Sequence, residues 1–317
     1  MSINKIQFQK GLSMVEFVER FGLEEQCVQA LFAQRWPTSF CCPQCGAGTF
    51  YRIATAGRPL FQCQGCRHQA SLTVGTLMHA SKLSLRQWFL AIYLISQAKT
   101  GFSSLALKRQ LGVDYRTAWL LHHKLLLAMA EEDAKTPLCG DIQLDDAYLG
   151  GERPGVPGRG SPNKIPIVAA VALSEKGHPL YLKISPVEGF TTQAITEWAK
   201  ANLAPGCDVT SDGLACFGGV IDAGCAHSYI VANGRKPRDM PRFKWVNTIL
   251  GNLKTTINGA HKAFDFAKYA ARYLGAFAYR FNRRFDLRAI AENLLGHVVA
   301  AKPRREALVR RQAELSH

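Results

Sequence analysis

Ile142-Gln143-Leu144-Asp145 and Asp208-Val209-Thr210-Ser211-Asp212 are short apolar runs that each close on an aspartate, and their reading decides the fold of the C-terminal half of this 317-residue chain. Each predicts a β-strand ending in an acid. Between them, residues 165–173 and 179–184 read as two further strands and residues 192–201 as a helix, and residues 228–231 read as a fifth strand. Sixty-six residues separate Asp145 from Asp212, yet their carboxylates converge if the first and fourth strands are neighbours in one sheet. Such a pair offers hard oxygen ligands with space for water and a substrate phosphate, as two Mg²⁺ or Mn²⁺ ions require. The alternative is that each aspartate only caps a loop or a following helix.

Further along the chain, Lys244-Trp245-Val246-Asn247-Thr248-Ile249-Leu250-Gly251-Asn252-Leu253-Lys254 reads as a helix. Asn247 and Lys254 lie seven positions apart, two turns along one face. One end of that face can reach a metal and the other a DNA phosphate. Residues 150–160 are too rich in Gly and Pro to be regular and read as a mobile loop over the acids. Upstream, the charged stretch 131–136, closed by Pro137, reads as a linker.

Near the N-terminus stand Cys42-Pro-Gln-Cys45 and Cys63-Gln-Gly-Cys66, with seventeen residues between the pairs. Thiolates at i and i+3 on two knuckle turns make the tetrahedral sulfur set that Zn²⁺ favours, so Cys42, Cys45, Cys63 and Cys66 read as a zinc ribbon spanning about residues 40–71. Two disulfides are the competing reading, and a reducing cytosol disfavours them. A closed four-sulfur site leaves no place for water and is structural. In small finger peptides it contributes on the order of 10–16 kcal/mol of apparent binding free energy. The ribbon's strands are 50–52 and 60–62, and residues 13–33 form a helical prelude before it. Beyond it, Ser84 caps a helix, and residues 103–119 have the pattern of a helix-turn-helix. A first helix ends at Leu111-Gly112, and a second begins after Asp114 with Tyr115, Arg116 and Thr117 exposed at its start. The same turn also serves an ordinary helical hairpin.

Thirty-nine Lys and Arg against twenty-four Asp and Glu leave a net charge of +15, which favours a polyanionic partner such as nucleic acid. No apolar run is long enough to span a bilayer, and the first ten residues carry no apolar signal region, so a cytoplasmic protein with no membrane partner is expected. Arg280, Arg283 and Arg284 follow a set of aromatic residues on a predicted helix. The aromatics read as core, and Arg283 and Arg284 as contacts to a DNA backbone. Lys302, Arg304, Arg305, Arg310 and Arg311 make a basic tail.

The order Asp145, Asp212, Asn247, Lys254 resembles the catalytic signature of the DDE transposases, whose core is RNase H-like. The ribbon, the helix-turn-helix, Leu144-Asp145-Asp146-Ala147-Tyr148-Leu149-Gly150-Gly151, Ser211-Asp212-Gly213 and Tyr279-Arg280-Phe281-Asn282-Arg283-Arg284-Phe285 are similar to bacterial insertion-sequence transposases of the fifteen-ninety-five group. The resemblance implies an α/β fold: an RNase H-like mixed-sheet catalytic domain at 136–300, preceded by a helical segment (1–36), a zinc ribbon (37–75) and a helix-turn-helix domain (76–135), and followed by the basic tail (301–317). It makes Asp145 and Asp212 the metal-binding acids and Asn247 the occupant of the third position, usually Glu. Lys254 becomes the basic residue that positions a phosphate, and Asp146 a supplementary ligand. An Asn brings an oxygen but no charge. The implied activity is metal-dependent strand cleavage and strand transfer at element ends, performed by a homo-oligomer on terminal inverted repeats and target DNA. A non-catalytic DNA-binding regulator with a degenerate nuclease domain is the alternative that Asn247 favours; a structure-specific nuclease shares the same acids.

Overall fold

The computed structural model describes residues 5–6, 8–55, 57–150, 164–231, 240–262 and 264–311. The described residues divide into two units, one drawn from Met1–Ala128 and Arg284–Arg310, the other from Met129–Arg283 and Arg311–His317.

The first unit begins with α1 (Met14–Phe21) and α2 (Glu24–Arg35). The expected prelude is thus two helices, and the local hydrogen bonds explain the break. Ser13 and Glu16 form a capping box that starts α1. The Gln26 side chain accepts from the Leu23 amide and donates to the Glu19 carbonyl, which restarts the chain as α2. The ribbon has three antiparallel strands rather than two, β1 (Phe50–Ile53), β2 (Leu60–Cys63) and β3 (Gln69–Ser71), with β2 central. Three residues are too few for an alternation to register, so β3 left no signal. Phe32, Trp36, Phe40, Phe50 and Phe61 build its small core, with ring centroids 4.9 to 5.7 Å apart. Helix α3 (Leu85–Gln97) is capped by Ser84 as expected. Then α4 (Ser104–Leu111) ends on Gly112, whose φ of 65° only glycine adopts without cost, and α5 (Tyr115–Ala134) follows. The Asp114 carboxylate caps α5 by accepting from the Thr117 amide at 2.9 Å.

Helix α5 does not stop near Met129. The charged stretch expected as a linker forms its last turns, because Asp133 is buried against Lys183 at 3.2 Å and its other carboxylate oxygen accepts from Asn282 at 2.7 Å. The second unit is then built on β4 (Asp141–Leu149), β5 (Ile165–Leu173), β6 (Pro179–Pro186), β7 (Asp208–Ser211) and β8 (Ala226–Tyr229), with α6 (Thr192–Asn202) between β6 and β7. The order across the sheet is β6-β5-β4-β7-β8. Strands β6, β5 and β4 are antiparallel, whereas β7 and β8 run parallel to β4. The expected neighbourhood of first and fourth strands holds, and the fifth strand begins two residues earlier than expected.

Both faces of this sheet are covered. Ile142, Leu144, Val168 and Ala170 pack with Ile195 and Trp198 of α6 and with Phe217 and Val220 of a 3₁₀ turn. On the other face, Ile167, Ala169, Val171, Leu182 and Ile184 pack with Val246, Ile249 and Leu253 of α7 (Lys244–Thr256) and Leu274 and Phe277 of α8 (Phe266–Asn282). Strands buried on both sides are uniformly apolar, which is why β5 was legible as one run. The chain returns to the first unit with α9 (Ile290–Ala300) and α10 (Glu306–Arg310). The span read as a basic tail therefore contains a helix whose Val309 is fully buried. Residues 151–163, most of the expected loop over the acids, lie outside the described residues. Among the described residues no helix is long and apolar enough to cross a membrane.

Candidate active site

Asp145 stands inside β4, not at its end, which corrects the sequence-based expectation. Strand β5 pairs with β4 from Ile142 to Leu149, but β7 pairs only as far as Gln143↔Thr210. Asp145 therefore lies just beyond the point where the parallel partner stops, and an edge opens there. Asp212 follows the last residue of β7, and its Oδ1 accepts from the Leu214 amide at 3.1 Å. The turn needs Gly213: its φ is 91°, and a Cβ there would meet the Tyr229 ring at 3.3 Å. Beneath it, Ser211 is fully buried with its Oγ 2.9 Å from His227 Nε2, so this histidine has a packing partner outside the acid cluster.

Carboxylate oxygens of Asp145, Asp146 and Asp212 lie within 4.8 Å of one another. Three hard oxygen donors at that spacing suit a divalent cation. Burial, then the charges of Asp212 and Asp146, push the Asp145 carboxyl up to about 7, against the Asp146 amide (2.8 Å from Asp145 Oδ1) and the charge of Lys254.

Helix α7 is set against this cluster by a residue the sequence did not single out. Strand alternation puts Gln143 on the same face as Asp145. Its buried Oε1 accepts from the amides of Trp245 and Val246, both at 3.1 Å, supplying a cap that α7 lacks from its own sequence. Its only signal was a polar residue inside an apolar strand. Half-buried Asn247 lies in the first turn of α7, where its Nδ2 donates to the Phe243 carbonyl at 3.0 Å, and its Oδ1 has no hydrogen bond among the described residues. Lys254, two turns on, is exposed. A cavity of about 680 Å³ lies elsewhere in this unit, between Asp141, His178, Lys244 and Trp245, and none of the three acids lines it.

Sγ atoms of Cys42, Cys45, Cys63 and Cys66 also lie within 4.8 Å of one another, with Cys42 to Cys66 at 3.6 Å and Cys45 to Cys63 at 3.5 Å. Burial opposes ionisation of Cys42, but the amides of Cys45 and Gln44 and the neighbouring thiols outweigh it and bring that thiol to about 6. Such a donor set fits Zn²⁺. Cys41 is exposed and stands outside the cluster.

The residues expected to contact DNA divide. Tyr115 and Arg116 are exposed at the start of α5, while the Thr117 hydroxyl donates to Asp114 and serves the cap. Arg283 has its charge met inside its own unit, stacking 3.7 Å over Tyr279 and pairing with buried Asp133 at 3.9 Å. Arg284 lies 4.3 Å over the Phe285 ring.

The cysteine cluster and the clustered aspartates each fall within a stretch that matches a domain of known transposases. Residues 137–282 match the ISXO2-like transposase domain, and residues 22–69 match the transposase zinc-ribbon domain. Both matched stretches thus resemble domains of insertion-sequence transposases. The chain is also similar to an uncharacterized protein in transposable element ISH50 of Halobacterium salinarum, with 28% identity over 146 residues, or 45% of this chain and 46% of that protein. The chain thus spans just under half the length of the curated relative it matches.

Proposed function

We propose that this protein binds the ends of its insertion sequence and catalyses divalent-metal-dependent strand cleavage and strand transfer at Asp145, Asp146 and Asp212. The observation that carries this reading is the convergence of three carboxylates from two adjacent strands within a transposase domain. The strand order, three antiparallel strands followed by two parallel ones, supports an RNase H-like core, and α4, Gly112 and α5 support a helix-turn-helix. Bound Mg²⁺ or Mn²⁺ would supply Lewis acidity toward a phosphoryl oxygen and acidify a bound water.

Asp145 and Asp212 would hold the ion, and Asp146 would contribute the third negative charge that Asn247 lacks. The Asn247 amide would offer a neutral oxygen, and Lys254 a counter-charge for a phosphate. Attack of a water oxygen on phosphorus at the element end breaks the bond to the 3′-oxygen and leaves a 3′-hydroxyl. That hydroxyl then attacks a target phosphorus, forming one phosphodiester as another breaks, with no covalent link to the protein. The ribbon would serve DNA-end recognition, with Zn²⁺ shaping it and taking no part in the chemistry.

Transposition in cells tests this. A plasmid carrying the gene between its flanking inverted repeats should yield insertions with short target duplications, and Asp145→Ala or Asp212→Ala should yield none. Equal insertion frequencies for wild type and either variant would contradict the proposal.

A further inference from the structure

In the first unit, Arg116 on the first turn of α5 is held by Glu306 of α10. Arg116 Nε lies 3.0 and 3.2 Å from the two carboxylate oxygens, and Nη2 lies 2.9 Å from Oε2. Glu306 is itself fixed by Arg310 Nε at 2.8 Å, and the Arg310 guanidinium stacks 4.4 Å from the ring of Trp119, one turn beyond Arg116 on α5. The carboxylate is sheltered, with the Glu306 side chain 25% exposed, whereas the Arg116 side chain is 74% exposed.

The contact therefore occupies the Nε–Nη2 edge of the guanidinium and leaves the Nη1–Nη2 edge facing outward. That free edge is the two-donor fork that pairs with O6 and N7 of guanine. A long side chain at the mouth of a helix loses rotamer freedom when it binds, and a buried-side carboxylate that fixes it beforehand removes that cost. We infer that Glu306 is a specificity-determining positioning residue that aims Arg116 at a guanine in the major groove of the element end. The inference rests on the proposed reading of the start of α5 as the DNA-reading element.

The test is selection from a randomised duplex library with the full-length, zinc-loaded chain, followed by affinity measurements on the selected site and its single-base variants over a range of salt. Wild type should select a guanine at one position. Arg116→Ala and Glu306→Gln should each lower the preference there by about tenfold, with preferences elsewhere, the salt dependence and the melting temperature retained.

Several outcomes would overturn the inference. If Glu306→Gln keeps the preference, or binds all sequences more tightly, Glu306 does not aim Arg116; in the second case it masks it from DNA. If Arg116→Ala weakens all sequences equally and flattens the salt dependence, Arg116 contacts phosphate. A wild-type protein that selects no sequence would overturn the inference and the DNA-reading role of α5 together; the other failures leave that role standing.

Discussion

A carboxyl pushed up to about 7 keeps a proton that the unfolded chain releases near pH 4. Between those values the folded state binds more protons than the unfolded one, so Asp145 lowers stability as pH rises, and its cost is complete above pH 7. Asp145→Asn removes the charge with little change of shape. In chelator, its stability advantage over wild type should grow from near zero at pH 4 to on the order of 4 kcal/mol above pH 7, as measured by urea unfolding at each pH. A constant advantage would mean that Asp145 is not held against its charge. Mn²⁺ should reverse the order by binding wild type and sparing the variant. Asn247 supplies the complementary test. If its free Oδ1 faces the same ion, Asn247→Asp adds a charged ligand and should tighten Mn²⁺ binding by about tenfold in calorimetry; an unchanged affinity would place residue 247 outside the site.

At the scale of elements, Asp133 joins the end of α5 to β6 and α8. Its carboxylate meets Lys183 and Asn282, while Asn282 also accepts from the Leu182 amide at 2.7 Å and donates to the Leu182 carbonyl at 2.9 Å. Lys183 and Asp133 have side chains only 4% and 8% exposed. Asp133→Ala would leave a buried ammonium without its counter-charge and should destabilise the fold by about 3–5 kcal/mol, read as a lower urea midpoint; a loss below 1 kcal/mol would show that water reaches Lys183. The same network explains what the sequence hid. Within Glu131-Glu132-Asp133, Asp133 looks solvated because its counter-charge, Lys183, lies fifty positions away. The acid in β4 likewise interrupts an apolar run, so the strand seemed to stop at Asp145 although β5 carries it on to Leu149. The cysteine pairs, the apolar strands and the helix bearing Asn247 and Lys254 were legible because local spacing alone specifies them. Gln143 was not, because its partners are backbone amides a hundred residues downstream.

For the whole molecule, a +15 chain combines two clusters suited to metals of opposite chemistry, four soft sulfurs in the first unit and three hard carboxylates in the second. Only the second set can leave positions for water and substrate. In the function proposed above, those carboxylates cut DNA whose ends the same chain recognises. Incubating purified protein with labelled duplex carrying the element's terminal repeat, in Mg²⁺ and in Mn²⁺, tests it most directly. Wild type should release a 3′-hydroxyl at the element end and join it to target DNA, while Asp145→Ala and Asp212→Ala bind the repeat with wild-type affinity and leave it intact. Wild-type protein that binds the repeat yet never cuts it with either metal would contradict the account and leave a DNA-binding regulator in its place.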